Sequence, residues 1–332
     1  MQELGTRLSN AGYGLAMKVL FNRRKSPRAL RRNLERFATT PREIIRRRFP
    51  QVRFADLQIG GLRAESVSAV PDPQRVVLYL HGGGYVFGSI DTYRRRAVKL
   101  SYRCKAEVVV PEYRLAPEHP FPAALVDARS TWRDLVSRPD PRPMLVAGDS
   151  AGGGLALAMM TLLRDEGEQL PAGAVLLSPW TDLAMTGPSV AANRATDCWL
   201  TREQAADWAG WYCGAEPATD PLISPLYADL HGLPPLLLLV GDQEILLDDT
   251  RRLAARARES GVVVSEEIGR GMQHDWPLTL PWLAESRRAW TVMSRFVEEL
   301  AEPGVAATGI ARSPGVNPRA PAPHRSAALQ CR

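Results

Sequence analysis

Short apolar runs alternate with amphipathic stretches along most of the chain, from residue 52 to about residue 300. The runs are rich in β-branched residues and predict seven strands, at 66–70, 75–80, 107–111, 144–148, 174–178, 236–240 and 262–267. Stretches with helical spacing of apolar residues lie between or after these runs, near 92–104, 121–137, 151–166, 249–260 and 284–301. Strands that are apolar almost throughout and separated by helices indicate a mostly parallel sheet with helices on both faces.

Three segments do not follow this alternation of predicted strands and helices. Residues 1–50 predict a helical region, because apolar residues form two rough stripes at Leu4, Leu8, Tyr13, Leu15, Val19 and Leu20, and at Leu30, Leu34 and Phe37. Residues 181–230 predict an insertion that packs over the sheet, since they contain the aromatic residues Trp199, Trp208, Trp211 and Tyr212. Residues 303–332 contain five prolines and no periodicity, which is typical of a disordered tail. We therefore expect a folded body over residues 51–302.

Positive charge is concentrated at the two ends of the chain. The formal net charge is +6, to which residues 1–50 contribute +10 and residues 303–332 contribute +4. The body over residues 51–302 is therefore negative, at −8. Nucleic-acid binding would require basic and aromatic residues on one face of a folded domain, so we expect no nucleic-acid partner. The basic N-terminus fits a solvated helix face or, alternatively, peripheral contact with an anionic membrane surface.

The cysteine and hydropathy patterns indicate a cytoplasmic protein. No apolar run reaches the roughly 20 residues of a membrane span, and the N-terminus lacks the pattern of a secretory signal. The four cysteines, Cys104, Cys198, Cys213 and Cys331, include no Cys-x-x-Cys pair. This spacing favours free thiols over a disulfide framework or a zinc site, so we expect no metal centre. The sequence leaves the oligomeric state open.

A G-x-S-x-G pentapeptide, Gly148-Asp149-Ser150-Ala151-Gly152, lies where a predicted strand meets a predicted helix. A sharp turn at this place lifts a serine hydroxyl out of the end of a sheet and has room only for small neighbours. A serine held there can attack a carbonyl carbon when a base removes its proton. Ser150 is therefore the candidate nucleophile.

A glycine-rich loop, His81-Gly82-Gly83-Gly84-Tyr85, follows the predicted strand 75–80. Consecutive glycines leave backbone N–H groups unobstructed, so that two donors can point at one oxygen. A tetrahedral intermediate of acyl transfer carries negative charge on such an oxygen, and the loop therefore predicts an oxyanion hole rather than a flexible turn. We interpret His81 as a structural residue that shapes this loop, not as the catalytic base.

Several carboxylates follow the predicted strand 236–240, among them Asp242, Glu244 and Asp248. A carboxylate at the carboxyl end of a strand can orient a catalytic histidine and stabilise its charged form. His274 comes directly after the last predicted strand, whereas the other histidines lie in the glycine-rich loop, in proline-rich loops or in the tail. The order serine, acid, histidine is the order of α/β-hydrolases.

Three motifs in order carry a family resemblance: HGGGYVFGS at 81–89, YRLAPE at 113–118 and GDSAGG at 148–153. From about residue 50 to residue 300 the chain resembles the hormone-sensitive-lipase family of α/β-hydrolases. The resemblance implies an α/β-hydrolase fold with a mostly parallel, eight-stranded sheet. It also implies a helical cap, built from the N-terminal helices and the 181–230 insertion, and hydrolysis of carboxylic esters without a cofactor.

The resemblance further implies which groups form the oxyanion hole and which carboxylate acts as the acid. By the family pattern, the N–H groups of Gly83, Gly84 and Ala151 form the oxyanion hole. The family's acid usually stands in an Asp-Pro-Leu-x-Asp pattern, and the matching stretch here is Glu-Ile-Leu-Leu-Asp at 244–248. Glu244 is therefore the expected acid.

Two alternatives for the acid and several for the substrate stay open. Asp242 and Asp248 could replace Glu244, although Asp248 also fits the start of the helix 249–260. The expected activity is hydrolysis of small to medium apolar esters through an acyl-enzyme. Lactone hydrolysis and deacetylation of small molecules follow the same steps and are alternatives. Receptors similar to this family bind ligands without catalysis but lack the histidine, so His274 favours an enzyme.

Overall fold

The computed structural model describes residues 26–300. Eight strands lie in this range: β1 (Arg53–Ile59), β2 (Leu62–Ser68), β3 (Arg75–Leu80), β4 (Ala106–Pro111), β5 (Met144–Asp149), β6 (Ala174–Leu177), β7 (Leu236–Gly241) and β8 (Val264–Gly269). The helices of the same range are α1 (Pro27–Ala38), α2 (Arg42–Arg48), α3 (Ile90–Cys104), α4 (Ala123–Ser137), α5 (Ala151–Asp165), α6 (Ser189–Ala192), α7 (Arg202–Cys213), α8 (Leu247–Glu259), α9 (Trp276–Thr279) and α10 (Ala284–Glu299).

All eight strands form one sheet in the order β1-β2-β4-β3-β5-β6-β7-β8. β1 and β2 are antiparallel to their neighbours, and every pair from β4 to β8 is parallel. The mostly parallel, eight-stranded sheet is confirmed. The sequence pattern predicted only seven strands, and β1 was the one it missed. Ile59 is the only buried residue of β1, so this edge strand has no apolar run to reveal it.

The sheet has a hydrophobic core on each face, as expected for a sheet with helices on both sides. Successive residues of the fully buried β3 alternate between the two cores: Val76, Leu78 and Leu80 face one, and Val77 and Tyr79 face the other. α5 packs in the first core, while α3 and α10 pack in the second. The apolar character of the central strands therefore follows from burial on both faces.

The predicted helices are present within residues 26–300, with small shifts at their ends. The helix predicted at 92–104 begins at Ile90, because Ser89 and Thr92 form a capping box there. The helix predicted at 249–260 begins at Leu247. In α1, Leu30 is buried and Leu34 is partly buried, but the third residue of the predicted stripe, Phe37, is 67% exposed.

The 181–230 insertion lies between β6 and β7 and contains α6 and α7. Its aromatic residues reach the glycine-rich loop, since Tyr212 stacks on Tyr85 at 3.7 Å between ring centroids and Trp208 meets Phe87 edge-on at 5.1 Å. The stripe predicted at residues 4–20 and the tail predicted at 303–332 lie outside the described residues. The division into cap, body and tail therefore remains a prediction.

No helix between residues 26 and 300 is long and apolar enough to cross a membrane. Cys104, Cys198 and Cys213 form no disulfide within the described residues, and Cys331 lies outside them. Over the described range, no cluster of three or more His, Cys, Asp or Glu side chains is arranged to hold a metal ion.

Candidate active site

Ser150 occupies a sharp turn between the end of β5 and the start of α5. Its backbone has φ 53° and ψ −123°, a strained conformation for a residue with a side chain. A Cβ at Gly152 would lie 2.1 Å from the carbonyl oxygen of Leu80, so only glycine permits this close approach of helix and strand. The Ser150 carbonyl accepts hydrogen bonds from the N–H groups of Gly153, Gly154 and Trp180, which hold the turn.

Glu244 and His274 form a hydrogen-bonded pair at the same end of the sheet. The Nδ1 atom of His274 lies 2.6 Å from Oε2 of Glu244, and both side chains are buried. The other carboxylate oxygen, Oε1, accepts hydrogen bonds from the backbone N–H of Gly241 at 2.5 Å and from the hydroxyl of Ser178 at 2.9 Å. These donors fix the carboxylate so that Oε2 faces the imidazole.

The two alternative acids point elsewhere. Oδ1 of Asp242 accepts a hydrogen bond from the N–H of Gly271 at 2.7 Å, within the loop that carries His274. Asp248 accepts one from the N–H of Ser189 at 2.6 Å and lies in the first turn of α8. Neither aspartate contacts the imidazole of His274, which among these three acids meets only Glu244.

Ser150 and His274 line one cavity of about 30 Å³, together with Gly83 and Gly84. No hydrogen bond joins Ser150 to His274 within the described residues, and such bonds are often long until substrate binds. Trp199 approaches the His274 ring edge-on, at 5.9 Å between centroids. The cavity also includes Trp208 and Leu200, so the aromatic insertion forms part of its wall.

The glycine-rich loop presents free backbone donors beside Ser150. Gly83 has φ 120°, and a Cβ there would lie 2.0 Å from the carbonyl oxygen of Phe87. Among residues 26–300, the N–H groups of Gly83, Gly84 and Ala151 have no acceptor. These are the three groups expected at the oxyanion hole, and two of their residues line the cavity with Ser150.

Asp149, the first of the two variable residues of the pentapeptide, anchors the glycine-rich loop. Its Oδ1 accepts hydrogen bonds from the hydroxyl of Tyr79 at 2.7 Å and the N–H of Gly82 at 3.0 Å. Its Oδ2 accepts one from the hydroxyl of Tyr93 at 2.8 Å. This anchor was not predicted from the sequence, although a carboxylate inside an otherwise small-residue motif was a signal for it.

His81 has the structural role that the sequence suggested. Its Nδ1 lies 2.8 Å from the carbonyl oxygen of Gly82, and its ring stacks on Tyr113 at 4.2 Å between centroids. Burial lowers the pKa of His81 to about 4, so the ring stays neutral at ordinary pH. His81 does not line the cavity of Ser150.

Two further carboxyl groups lie near His274, and neither was predicted from the sequence. Oδ2 of Asp275 lies 3.3 Å from Nε2 of His274, because the backbone of Asp275 adopts φ 53° and turns its side chain back. Burial raises the pKa of Asp275, while attraction to the charged form of His274 acts in the opposite direction. Asp197 accepts hydrogen bonds from the N–H groups of Trp199, Leu200 and Ile245, and burial raises its pKa to about 6.

The electrostatic balance at His274 favours the charged form of the ring. Burial lowers the pKa of His274, but attraction to Asp275 and Glu244 outweighs burial and raises the pKa above its ordinary value. A site of this kind stabilises the imidazolium that forms when a histidine accepts a proton from a nucleophile.

Comparisons with known proteins agree with this fold. The family model described as the alpha/beta hydrolase fold matches residues 77–278. An acetyl-hydrolase of Streptomyces hygroscopicus is 40% identical over 248 residues, which cover 74% of this chain and 83% of that protein. An esterase of Acinetobacter venetianus is 33% identical over 254 residues, or 76% of this chain and 84% of that protein.

Solved structures show the same similarity. A crystal structure of an esterase from the bacterial hormone-sensitive lipase family has a TM-score of 0.81 and 36% identity, covering 89% of this chain and 98% of that chain. The structure of EstE5 soaked with p-nitrophenyl butyrate has a TM-score of 0.78 and 34% identity, covering 87% of this chain and 98% of that chain. The chain thus belongs to the hormone-sensitive-lipase family of α/β-hydrolases.

Proposed function

We propose that this carboxylic-ester hydrolase acts through an acyl-enzyme formed on Ser150, with His274 as the base and Glu244 as the acid. The observation that carries the proposal is the hydrogen bond between His274 and Glu244, close to a serine on a strained turn. Unoccupied N–H donors in the same cavity supply the remaining part of an acyl-transfer site.

The reaction begins when Oγ of Ser150 attacks the ester carbonyl carbon and Nε2 of His274 takes the serine proton. The N–H groups of Gly83, Gly84 and Ala151 stabilise the negative oxygen of the tetrahedral intermediate, and each such donor is worth roughly 100- to 1000-fold in rate. The C–O bond to the alcohol then breaks, and His274 gives its proton to the leaving oxygen. Water, activated by the same imidazole, releases the acid and restores Ser150.

The substrate proposal is an ester of small to medium size with an apolar part. The cavity beside Ser150 is small, about 30 Å³, and Trp199, Leu200 and Trp208 supply apolar walls. A short acyl group suits this space. The similarity to an acetyl-hydrolase supports deacetylation of a small molecule as the second candidate, with the same catalytic groups.

A series of p-nitrophenyl esters from acetate to octanoate tests the proposal. We expect the highest kcat/KM for the short acyl chains, and loss of activity in Ser150→Ala with an unchanged circular dichroism spectrum. Mass spectrometry of a rapidly quenched reaction should find the acyl group on the peptide that contains Ser150. Equal rates for wild type and Ser150→Ala would refute the mechanism.

A further inference from the structure

A second, larger cleft adjoins the cavity of Ser150. Its volume is about 780 Å³, and it shares four lining residues with the smaller cavity: Leu34, Arg96, Trp199 and Thr279. The two spaces therefore adjoin each other at these side chains. The outer cleft is the adjacent space available to the larger part of a substrate whose carbonyl lies at Ser150.

The walls of the outer cleft are largely apolar. Phe37, Ile44 and Trp282 line it and are 67%, 56% and 59% exposed, respectively. These side chains come from α1, α2 and the segment before α10, so the fold brings separate apolar residues to one place. Large apolar side chains gathered at one concave site are typical of a binding surface rather than of ordinary exposure.

Three cations of α3, Arg95, Arg96 and Lys99, line the same cleft, and its lining includes no aspartate or glutamate. Within residues 26–300, Arg95 and Lys99 form no salt bridge, whereas their neighbour Arg94 pairs with Glu65 and Asp91. Arg95 and Lys99 thus bring positive charge to the cleft, with no carboxylate of the described residues at salt-bridge distance from either side chain.

Lys99 is the more buried of these two cations. Its ammonium group donates to the carbonyl oxygen of Pro277 at 3.3 Å and lies 4.6 Å from the ring centroid of Trp290. Burial, with a contribution from Arg103, lowers the pKa of Lys99 to about 8. A cation held in this way gains most from an anionic ligand, because a neighbouring negative charge restores the favoured charged form.

We propose that the outer cleft selects esters whose larger part combines an apolar chain or ring with an anionic group, bound by Arg95 and Lys99. This inference rests on the proposed function of Ser150 and names the substrate class of the same site. The anion can be a carboxylate, sulfate or phosphate, since all three are recognised by ammonium and guanidinium groups. Apolar walls accept the chain, and the cations of α3 accept its charged end.

Matched ester pairs test the proposal. 4-Acetoxybenzoate and its methyl ester differ on the alcohol side by a negative charge and a methyl group, and each kcat/KM is divided by the rate of alkaline hydrolysis of that ester to correct for the different leaving phenols. Mono-p-nitrophenyl adipate and p-nitrophenyl hexanoate place the charge on the acyl side. We expect a higher kcat/KM for the anionic member of at least one pair, and this preference should decrease as sodium chloride is added.

The double variant Arg95→Gln, Lys99→Gln should reduce the ratio of anionic to neutral kcat/KM by about 5- to 30-fold, as expected for two partly exposed ion pairs. Arg202→Gln is the control, since Arg202 is an exposed cation of α7 outside the cleft lining, and should leave the ratio unchanged.

The outcomes separate this inference from the proposed function. If Ser150-dependent hydrolysis occurs with no anionic preference in either pair, only the anion site is refuted. A double variant that loses activity on both members of a pair equally would show that the two cations support the fold and do not bind the anion, and would also overturn the site. Hydrolysis that persists in Ser150→Ala would instead refute the proposed function.

Discussion

Replacing Glu244 by glutamine gives the sharpest test of the proposed acid. Two donors, the N–H of Gly241 and the hydroxyl of Ser178, require an oxygen at the Oε1 position. The amide nitrogen of Glu244→Gln must then occupy the Oε2 position, where it donates a hydrogen to Nδ1 of His274. The imidazole proton is forced onto Nε2, and that tautomer cannot accept the proton of Ser150.

The magnitude follows from this change of tautomer. An equivalent substitution in serine proteases costs about 10⁴ in kcat with the geometry intact. We expect a loss of about 10³- to 10⁴-fold here, which corresponds to roughly 4 to 5.5 kcal/mol of transition-state stabilisation. The side chain keeps its shape, so the variant should remain folded.

The assay is kcat/KM for p-nitrophenyl acetate near pH 8, with thermal unfolding to verify the fold. Glu244→Asp keeps the charge and should recover much of the activity that Glu244→Gln loses. Asp242→Asn is the matched control, because Asp242 contacts Gly271 and not the imidazole, and should lose less than about 10-fold. A folded Glu244→Gln enzyme with more than a tenth of wild-type activity would refute the assignment.

Three further predictions concern pH and packing. Asp275→Asn removes the carboxylate that contributes most to raising the pKa of His274. Because activity needs neutral His274, the acid limb of the pH–rate profile should move to lower pH in this variant. An acid limb at the wild-type position would contradict this prediction. The pKa of His81 is about 4 in the folded protein and 6.5 as its ordinary value, so between pH 6.5 and pH 4 the unfolded state binds one more proton than the folded state. The free energy of unfolding should therefore fall by about 3 kcal/mol as the pH drops through this range. Urea unfolding of His81→Gln should show a smaller fall than wild type. Gly152→Ala places a Cβ 2.1 Å from a backbone oxygen and should prevent folding or abolish activity. In helix α7, the Cβ of Gly210→Ala meets no atom within 4 Å, and the higher helix propensity of alanine should raise the free energy of unfolding by up to about 1 kcal/mol.

The sequence predicted the elements whose burial is uniform. The central strands are apolar along their whole length because both faces are covered, and a run of β-branched residues reveals them. β1 has one buried residue and pairs on one side only, so its pattern resembles a loop. Phe37 likewise fits the apolar stripe of α1 but lies in the outer cleft, since periodicity does not show which apolar face meets the core.

At the site, the sequence predicted residues that stand in fixed local motifs. Ser150 and the glycine-rich loop are recognisable because their backbone geometry demands small residues at set positions. Asp275 was missed because its approach to His274 depends on the positive φ of its own backbone, and no pattern in the sequence predicts that φ. The motif singles out Asp149 as a carboxylate among small residues, but its partner Gly82 lies 67 positions away and is identified only in the folded chain.

The segment that walls the cavity also holds the loop of the acid. The side-chain amide of Asn193 donates to the carbonyl oxygens of Asp242 and Glu244 at 3.0 and 2.8 Å. One oxygen of Asp197 accepts from the N–H of Ile245, while the other accepts from the N–H of Trp199, whose ring faces the cavity. A displacement of the cavity wall therefore moves the backbone that positions Glu244. Because the same few hydrogen bonds join the cavity wall to the loop of Glu244, we expect a substitution that displaces the wall to disturb the proposed acid as well.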